Sequence, residues 1–208
     1  MSSPPRRPTH RPTPAVAHQV RIIGGQWKRT PLPVLTSPDL RPTPDRVRET
    51  VFNWLQHLVG HQWPQIRCLD LFSGSGALGF EAASRGAKSV TLVENQSAVV
   101  KQLEALKEKL KAEHIAILRG DAVLSAQRLI SQQQRFDLIF LDPPYQQGWL
   151  EKTLPLCQHL LESNGLVYAE AAAALPLGES EHAWLAGWEV VRADKAGMVF
   201  YHLLRRCT

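Results

Sequence analysis

The chain has 208 residues, 44% of them hydrophobic and 21% charged, with a formal net charge of +5 and a mean hydropathy of −0.20. Such a composition excludes a disordered chain, and at this length about 70% of the unfolded surface can be buried without disulfide or metal staples. Three widely spaced cysteines, Cys68, Cys157 and Cys207, form no C-x-x-C pair, and neither a membrane-length apolar run nor a signal-peptide core is present, so a cytoplasmic protein is expected.

The charge is unevenly placed. Residues 1–50 carry nine Lys and Arg against Asp39, Asp45 and Glu49, a local net of +6, while the remaining chain is close to neutral. Such asymmetry fits a polyanion partner met by the N-terminal part, or simply a solvated tail. Residues 1–18, rich in Pro and Arg, are expected to be a disordered basic arm. Their five prolines oppose the amphipathic helix of a transit peptide. Residues 19–60 are read as an extension of the main domain. Within it, Val20 to Val34 surround Gly24-Gly25 in short apolar pieces and predict a hairpin. Thr43-Pro44 then predicts a helix start, with Val47, Val51, Trp54, Leu55 and Leu58 at helical spacing until Gly60.

The main domain, residues 61–208, alternates the two periodicities. Cys68–Phe72, Ser89–Val93, Ile115–Arg119, Phe136–Leu141 and Leu166–Glu170 read as strands. Helices are predicted near 77–86, 96–112, 121–132 and 148–161, with Asn95 as the cap of the second. This rhythm predicts an α/β fold: a mostly parallel sheet with helices on both faces. Trp188–Arg192 and Met198–Leu204, joined through Asp194-Lys195-Ala196-Gly197 with no helix between, predict a terminal antiparallel hairpin.

Four strand ends carry chemistry. After the first, Asp70-Leu71-Phe72-Ser73-Gly74-Ser75-Gly76-Ala77-Leu78-Gly79 holds the G-x-G-x-x-G spacing, and Glu94 follows about 20 residues on, where an acid accepts from ribose hydroxyls. The glycines alone suit a dinucleotide as well as an adenosyl ligand. Asp70 favours a ligand with an ammonium group and would repel a pyrophosphate, which points to S-adenosylmethionine. Gly120-Asp121-Ala122 ends the third strand; Asp121 suits the adenine amine and Ala122 N–H a ring nitrogen, although Asp121 is equally suited to cap a helix. Asp142-Pro143-Pro144-Tyr145 ends the fourth. An exocyclic nucleobase amine is a poor nucleophile because its lone pair is delocalised. Asp142 and the Pro143 carbonyl can hold it pyramidal, and Tyr145 can stack on a base taken out of its helix.

With these motifs in place the chain resembles amino-directed, S-adenosylmethionine-dependent methyltransferases of the class I Rossmann-like fold. The stretches Arg21-Ile22-Ile23-Gly24-Gly25-Gln26-Trp27 and Arg41-Pro42-Thr43-Pro44-Asp45-Arg46-Val47-Arg48-Glu49 narrow the likeness to the RsmD family of 16S rRNA guanine-N2 methyltransferases. Tyr168-Ala169-Glu170 and Lys195-Ala196-Gly197-Met198-Val199 belong to the same match, which runs from about residue 20 to 205. The resemblance implies a seven-stranded sheet, S-adenosylmethionine as donor with no metal, and a guanine of 16S rRNA in the 30S subunit as acceptor. It further implies that Asp70, Phe72, Ser73, Gly74, Ser75, Gly76, Glu94, Asn95, Asp121 and Ala122 bind the donor. Asp142, Pro143, Pro144 and Tyr145 would then form the catalytic set. It gives Lys28, Arg29, Arg41, Arg46 and Arg48 a role at RNA phosphates, with Arg46 or Arg48 alternatively closing the donor pocket and Trp27 either stacking on RNA or packing in the core.

A monomer is the default expectation, and His57 and His61 lack a third ligand for a metal site. Three other readings stand beside the main one. A DNA adenine-N6 methyltransferase shares the Asp-Pro-Pro-Tyr chemistry but needs a recognition region for which 146–208 leave no room. A noncatalytic RNA-binding assembly module would not need acids at four strand ends, and an NAD-dependent oxidoreductase is disfavoured by Asp70.

Overall fold

A computed structural model describes residues 20–33, 44–144, 147–176 and 182–207. The predicted arm at 1–18, Arg41, Thr43 and Tyr145 lie outside the described residues.

The chain begins with a two-stranded ribbon, β1 (Val20–Arg21) and β2 (Pro31–Leu32), in which Val20 pairs with Leu32. Helix α1 (Asp45–Leu58) follows. Pro44 occupies the cap position itself, with extended backbone, and the helix opens with Asp45, one residue later than the sequence suggests. The main sheet then alternates with helices: β3 (Arg67–Asp70), α2 (Ala77–Ser84), β4 (Ser89–Glu94), α3 (Ser97–Leu110), β5 (Ile115–Arg119). It continues with α4 (Ala122–Ser131), β6 (Phe136–Leu141), α5 (Trp149–Leu160), β7 (Leu161–Ala171), β8 (Trp188–Ala196) and β9 (Val199–Arg206). The strand order is β5-β4-β3-β6-β7-β9-β8, parallel from β5 to β7, with β9 antiparallel to both β7 and β8.

The topology follows from connection length. Each helical crossover of a dozen or more residues returns the chain parallel, whereas the two-residue turn Gly197-Met198 can only produce an antiparallel pair. The strand β7 begins five residues earlier than predicted, because Leu161 pairs with Phe136 before an irregularity restores the register at Leu138 and Leu166. Asn95 is not a cap: Gln96 holds that position and its N–H reaches Glu94 Oε1 at 2.8 Å.

Two apolar cores enclose the sheet. On one face Leu138, Phe140, Tyr168 and Leu203 pack under α1, α2 and α3; on the other Leu69, Ile139, Leu141 and Val167 pack under α4 and α5. Cys68 and Cys157 are buried in these cores, as expected of small apolar side chains. Trp54, expected in the core, is half-buried with its ring 5.5 Å from that of Tyr201, and Leu58 at the end of the stripe is exposed.

A feature the apolar pattern concealed joins the N-terminal ribbon to this body. Glu81, fully buried on α2, accepts from the N–H groups of Ile23 at 2.6 Å and Gly24 at 2.8 Å, and from Arg85 Nε at 2.8 Å. Ser84 Oγ donates to Gly24 O at 2.6 Å and accepts from Trp27 N–H at 2.9 Å. Gly25 lies so close that a Cβ there would sit 1.9 Å from Ser84 O, with φ at +73°. Gly25→Ala is therefore expected to cost about 2 kcal/mol or more of stability, read as a lowered urea midpoint at unchanged m-value.

Candidate active site

All five parallel strands point their C-terminal ends to one edge, so Asp70, Glu94, Asp121 and Asp142 gather there although they are spread over 72 positions of sequence. The strand order reverses direction between β3 and β6, and a crevice opens outside strand ends at such a switch point. Asp70 and Asp142 flank it.

The glycine-rich turn is held by the acids themselves. Asp70 is buried, with Oδ2 accepting from Gly79 N–H at 3.2 Å and Oδ1 facing Phe72 N–H at 3.4 Å. Glu94 Oε2 accepts from Gly74 N–H at 3.0 Å, and Ser73 N–H bonds to Val93 O at 3.0 Å. Gly79 must be glycine for packing: a Cβ would meet Leu92 Cδ2 at 2.2 Å. At Gly74 the space beyond a Cβ is open to 4 Å, which leaves room for a ligand against the turn. Asp121 caps α4, taking the N–H groups of Val123 at 2.9 Å and Leu124 at 3.0 Å, both on Oδ1. The capping reading is thus correct, and Oδ2 is not used by it.

Burial pushes the Asp70 carboxyl up from 3.8 to about 7; the N–H groups of Phe72 and Gly79 pull it back and Glu94 adds repulsion. An unfolded chain holds this group near its ordinary value, so from about pH 4 to about pH 7 the folded protein keeps the extra proton. Stability contributed by Asp70 therefore falls as pH rises through that window, and the loss is complete above it. Asp70→Asn should flatten the slope, measured as urea midpoints of the ligand-free protein at pH 5 and pH 8.

Asp142 and Pro143 follow β6 directly, half-buried and buried respectively, and Pro144 is exposed. Phe72 in the glycine turn meets Trp149 edge to face at 5.7 Å, so the turn after β3 and the start of α5 close on each other beside this motif.

The predicted RNA-facing residues do not form one surface. Arg46 is exposed on the first turn of α1. Arg48 is 0% exposed, which corrects its expected place at a phosphate: its Nη2 donates to Asp45 Oδ1 at 2.6 Å, and Nε and Nη1 are buried without a partner. Phe52, one turn below it, lies 5.9 Å from Phe140, two residues before Asp142. Arg48 therefore belongs to the layer of the strand ends. Lys28 and Arg29 sit elsewhere, on the turn pinned to Ser84 at the far end of α2. Trp27 is half-buried there and stacks on His114, 5.8 Å away at the start of β5, so packing rather than base stacking describes it. Two signals were missed in the sequence: Glu81, an acid in the middle of an apolar helix, and Arg48, a cation on the stripe of Val51, Phe52 and Leu55.

Among the described residues no cluster of His, Cys, Asp and Glu suits a metal ion, and no helix is long and apolar enough to cross a membrane. His57 and His61 stand edge to face, the latter in contact with Gln56.

Parallel strands with acids at their ends, a glycine turn braced by two of them and Asp-Pro-Pro at the switch point make up the arrangement of a Rossmann-like methyltransferase. The chain belongs to the family described as conserved hypothetical protein 95, whose family model matches residues 20–205. It is 40% identical over 202 residues to the ribosomal RNA small subunit methyltransferase D of Escherichia coli (strain K12), covering 94% of each chain. Identity to the protein of the same name from Haemophilus influenzae is 40% over 194 residues, covering 92% of this chain and 96% of that one. The solved structure of the E. coli protein yhhF superposes with a TM-score of 0.74 at 39% identity, covering 90% of this chain and 98% of the other.

Proposed function

We propose that the chain methylates the exocyclic N2 amine of a guanine in 16S rRNA, using S-adenosylmethionine. The observation that carries this reading is the placement of Asp142 and Pro143 on the far side of the switch-point crevice from the braced glycine turn. The 40% identical relatives named as small-subunit rRNA methyltransferases supply the class of acceptor.

The residues suit the donor. The open face of Gly74 accommodates a main-chain-sized group, Glu94 accepts from ribose hydroxyls, and Asp121 Oδ2 accepts from the adenine amine beside Ala122 N–H. The Asp70 carboxyl, pushed up to about 7 by burial, is drawn further to its charged form when a cationic ammonium approaches, so donor binding and Asp70 ionisation reinforce each other. Phe72, Ser73, Ser75, Gly76 and Asn95 complete the wall of the pocket. When bound, the donor supplies an electrophilic methyl on a positively charged sulfur.

On the acceptor side, the Asp142 carboxylate and Pro143 carbonyl accept from the two amine hydrogens and turn the nitrogen lone pair toward the methyl carbon. With the donor bound, its methyl group would be taken up by the amine, and Asp142 would receive the proton made acidic by alkylation and pass it to solvent. Orientation and electrostatics, rather than strong basicity, account for the rate. Pro144 stiffens the loop, and Tyr145 stacks on the base. Arg46 steadies the RNA through phosphate, as Arg41 would on the segment before it. Lys28 and Arg29 would serve only an RNA that runs along the flank of the domain. The chain acts in the cytoplasm as a monomer on 30S particles.

The test is transfer of tritium-labelled methyl to unmodified 30S subunits, naked rRNA and DNA, with the labelled base mapped. Label at guanine N2 of 16S rRNA is expected. Label on adenine, or none on any RNA, would overturn the assignment.

A further inference from the structure

The C-terminal hairpin is expected, from its sequence, to finish the sheet. Its register gives it a second use. Phe200 of β9 pairs with Ala171 of β7, and Ala169 of β7 pairs with Leu141 of β6. Ala171 thus lies about 3 Å beyond the level of Asp142, and the turn Gly197-Met198 rises roughly 7–10 Å further, at about 3.3 Å per residue. Laterally β9 is two strand spacings, about 10 Å, from β6. The hairpin tip is a post standing at the rim of the strand-end crevice.

What the post carries is specific. Met198 is 81% exposed, ahead of Leu124 at 66% among the large apolar residues of the described chain. Lys195 is exposed and lies over the half-buried Phe200 ring at 5.7 Å. The post is braced against α1. Tyr201 donates its hydroxyl to Asp194 Oδ2 at 3.0 Å, and burial, followed by Asp194, pushes that hydroxyl up. Helix α1 packs against the base of the post, the Trp54 ring lying 5.5 Å from that of Tyr201. Asp194, the acid of the tip, is engaged by Tyr201 and by Lys195 N–H at 2.7 Å.

An exposed thioether next to an aromatic ring capped by a lysine, at the rim of a crevice that would take one extruded nucleotide, matches single-stranded nucleic acid: stacking for a base and charge for its phosphates. We propose that Met198, Phe200 and Lys195 form a docking lip for the single-stranded RNA beside the methylated base, Met198 packing on a base of that strand and Lys195 meeting its phosphate. This rests on the reading that RNA is the acceptor.

The test compares wild type with Met198→Ala, Lys195→Gln and the double variant in steady-state methyl transfer, on 30S subunits and on naked rRNA. Both side chains project from an exposed turn, so unchanged melting of each variant is expected. The double variant should raise KM for RNA about tenfold with kcat within twofold and donor affinity by calorimetry unchanged. Lys195→Gln should also lower the salt dependence of RNA binding by about one counterion. A wild-type KM in the double variant overturns the lip, as does a fall in kcat at constant KM. Loss on 30S subunits with naked rRNA unaffected would make the occupant a ribosomal protein, which also overturns it. If wild type itself labels no RNA, the failure lies with the functional reading and is recognised by that control.

Discussion

Asp142→Ala is expected to lower methyl transfer to 16S rRNA about 1,000-fold while leaving S-adenosylmethionine affinity within about threefold. The asymmetry follows from position. Asp142 lies past the end of β6, whereas the residues suited to the donor follow β3, β4 and β5. Removing the carboxylate takes away one of the two acceptors that orient the amine, and the remaining Pro143 carbonyl cannot hold it alone. Asp142→Asn keeps an acceptor oxygen without the charge and should fall between the two. Single-turnover transfer with calorimetry on the same preparations separates the effects, and a variant that transfers at more than a tenth of the normal rate would remove Asp142 from the reacting centre.

Glu81→Ala carries the largest expected effect on stability, about 3 kcal/mol or more. The carboxylate is fully buried, and three donors converge on it from two elements: the Ile23 and Gly24 N–H groups and the Arg85 guanidinium. Truncation leaves Arg85 without its ion pair over the Phe52 ring, 5.0 Å away, and frees the ribbon from α2. Hydrogen exchange should show the amides of Ile23, Gly24 and Trp27 losing protection well before those of β3 and β6. Glu81→Gln retains one acceptor and should cost about half as much. If the ribbon amides stay protected in Glu81→Ala, the carboxylate is not what holds it.

The two substitutions probe different levels of legibility. Asp142 was readable because an apolar run of strand length ends on it and proline closes the run, so its place at a strand end is a local property. The same holds for Asp70, Glu94 and Asp121. Helix α3 was equally plain: Val99, Leu103 and Leu106 are buried and Leu110 half-buried, as their spacing predicts. Glu81 and Arg48 were not readable, because periodicity assigns a polar residue to water unless a partner distant in sequence is known. Glu81's partners lie 57 and 58 positions away. Arg48 stands on a helix stripe otherwise made of Val51, Phe52 and Leu55, and its acid Asp45 is shared with Arg21 of the ribbon.

The basic excess of the first fifty residues shows the limit most clearly. Counting charges suggests one RNA-facing segment. The fold divides it: Arg46 is exposed on the first turn of α1, Arg48 is interior, and Lys28 and Arg29 are carried to the far end of α2 by the bonds to Ser84. In exchange, the antiparallel return of β9 brings Lys195 and Met198, from the far end of the chain, to the rim.

By itself the sequence determined the alternation of strands and helices, the parallel sheet, the terminal hairpin and the acids that end four strands, because each depends on periodicity and turn chemistry within a few residues. Tertiary structure alone decided which charges are buried and which face the crevice. Burial, and the bonds from the Ile23 and Gly24 amides to Glu81, depend on segments that meet only after the sheet has closed its register, and no local pattern in the chain encodes those meetings.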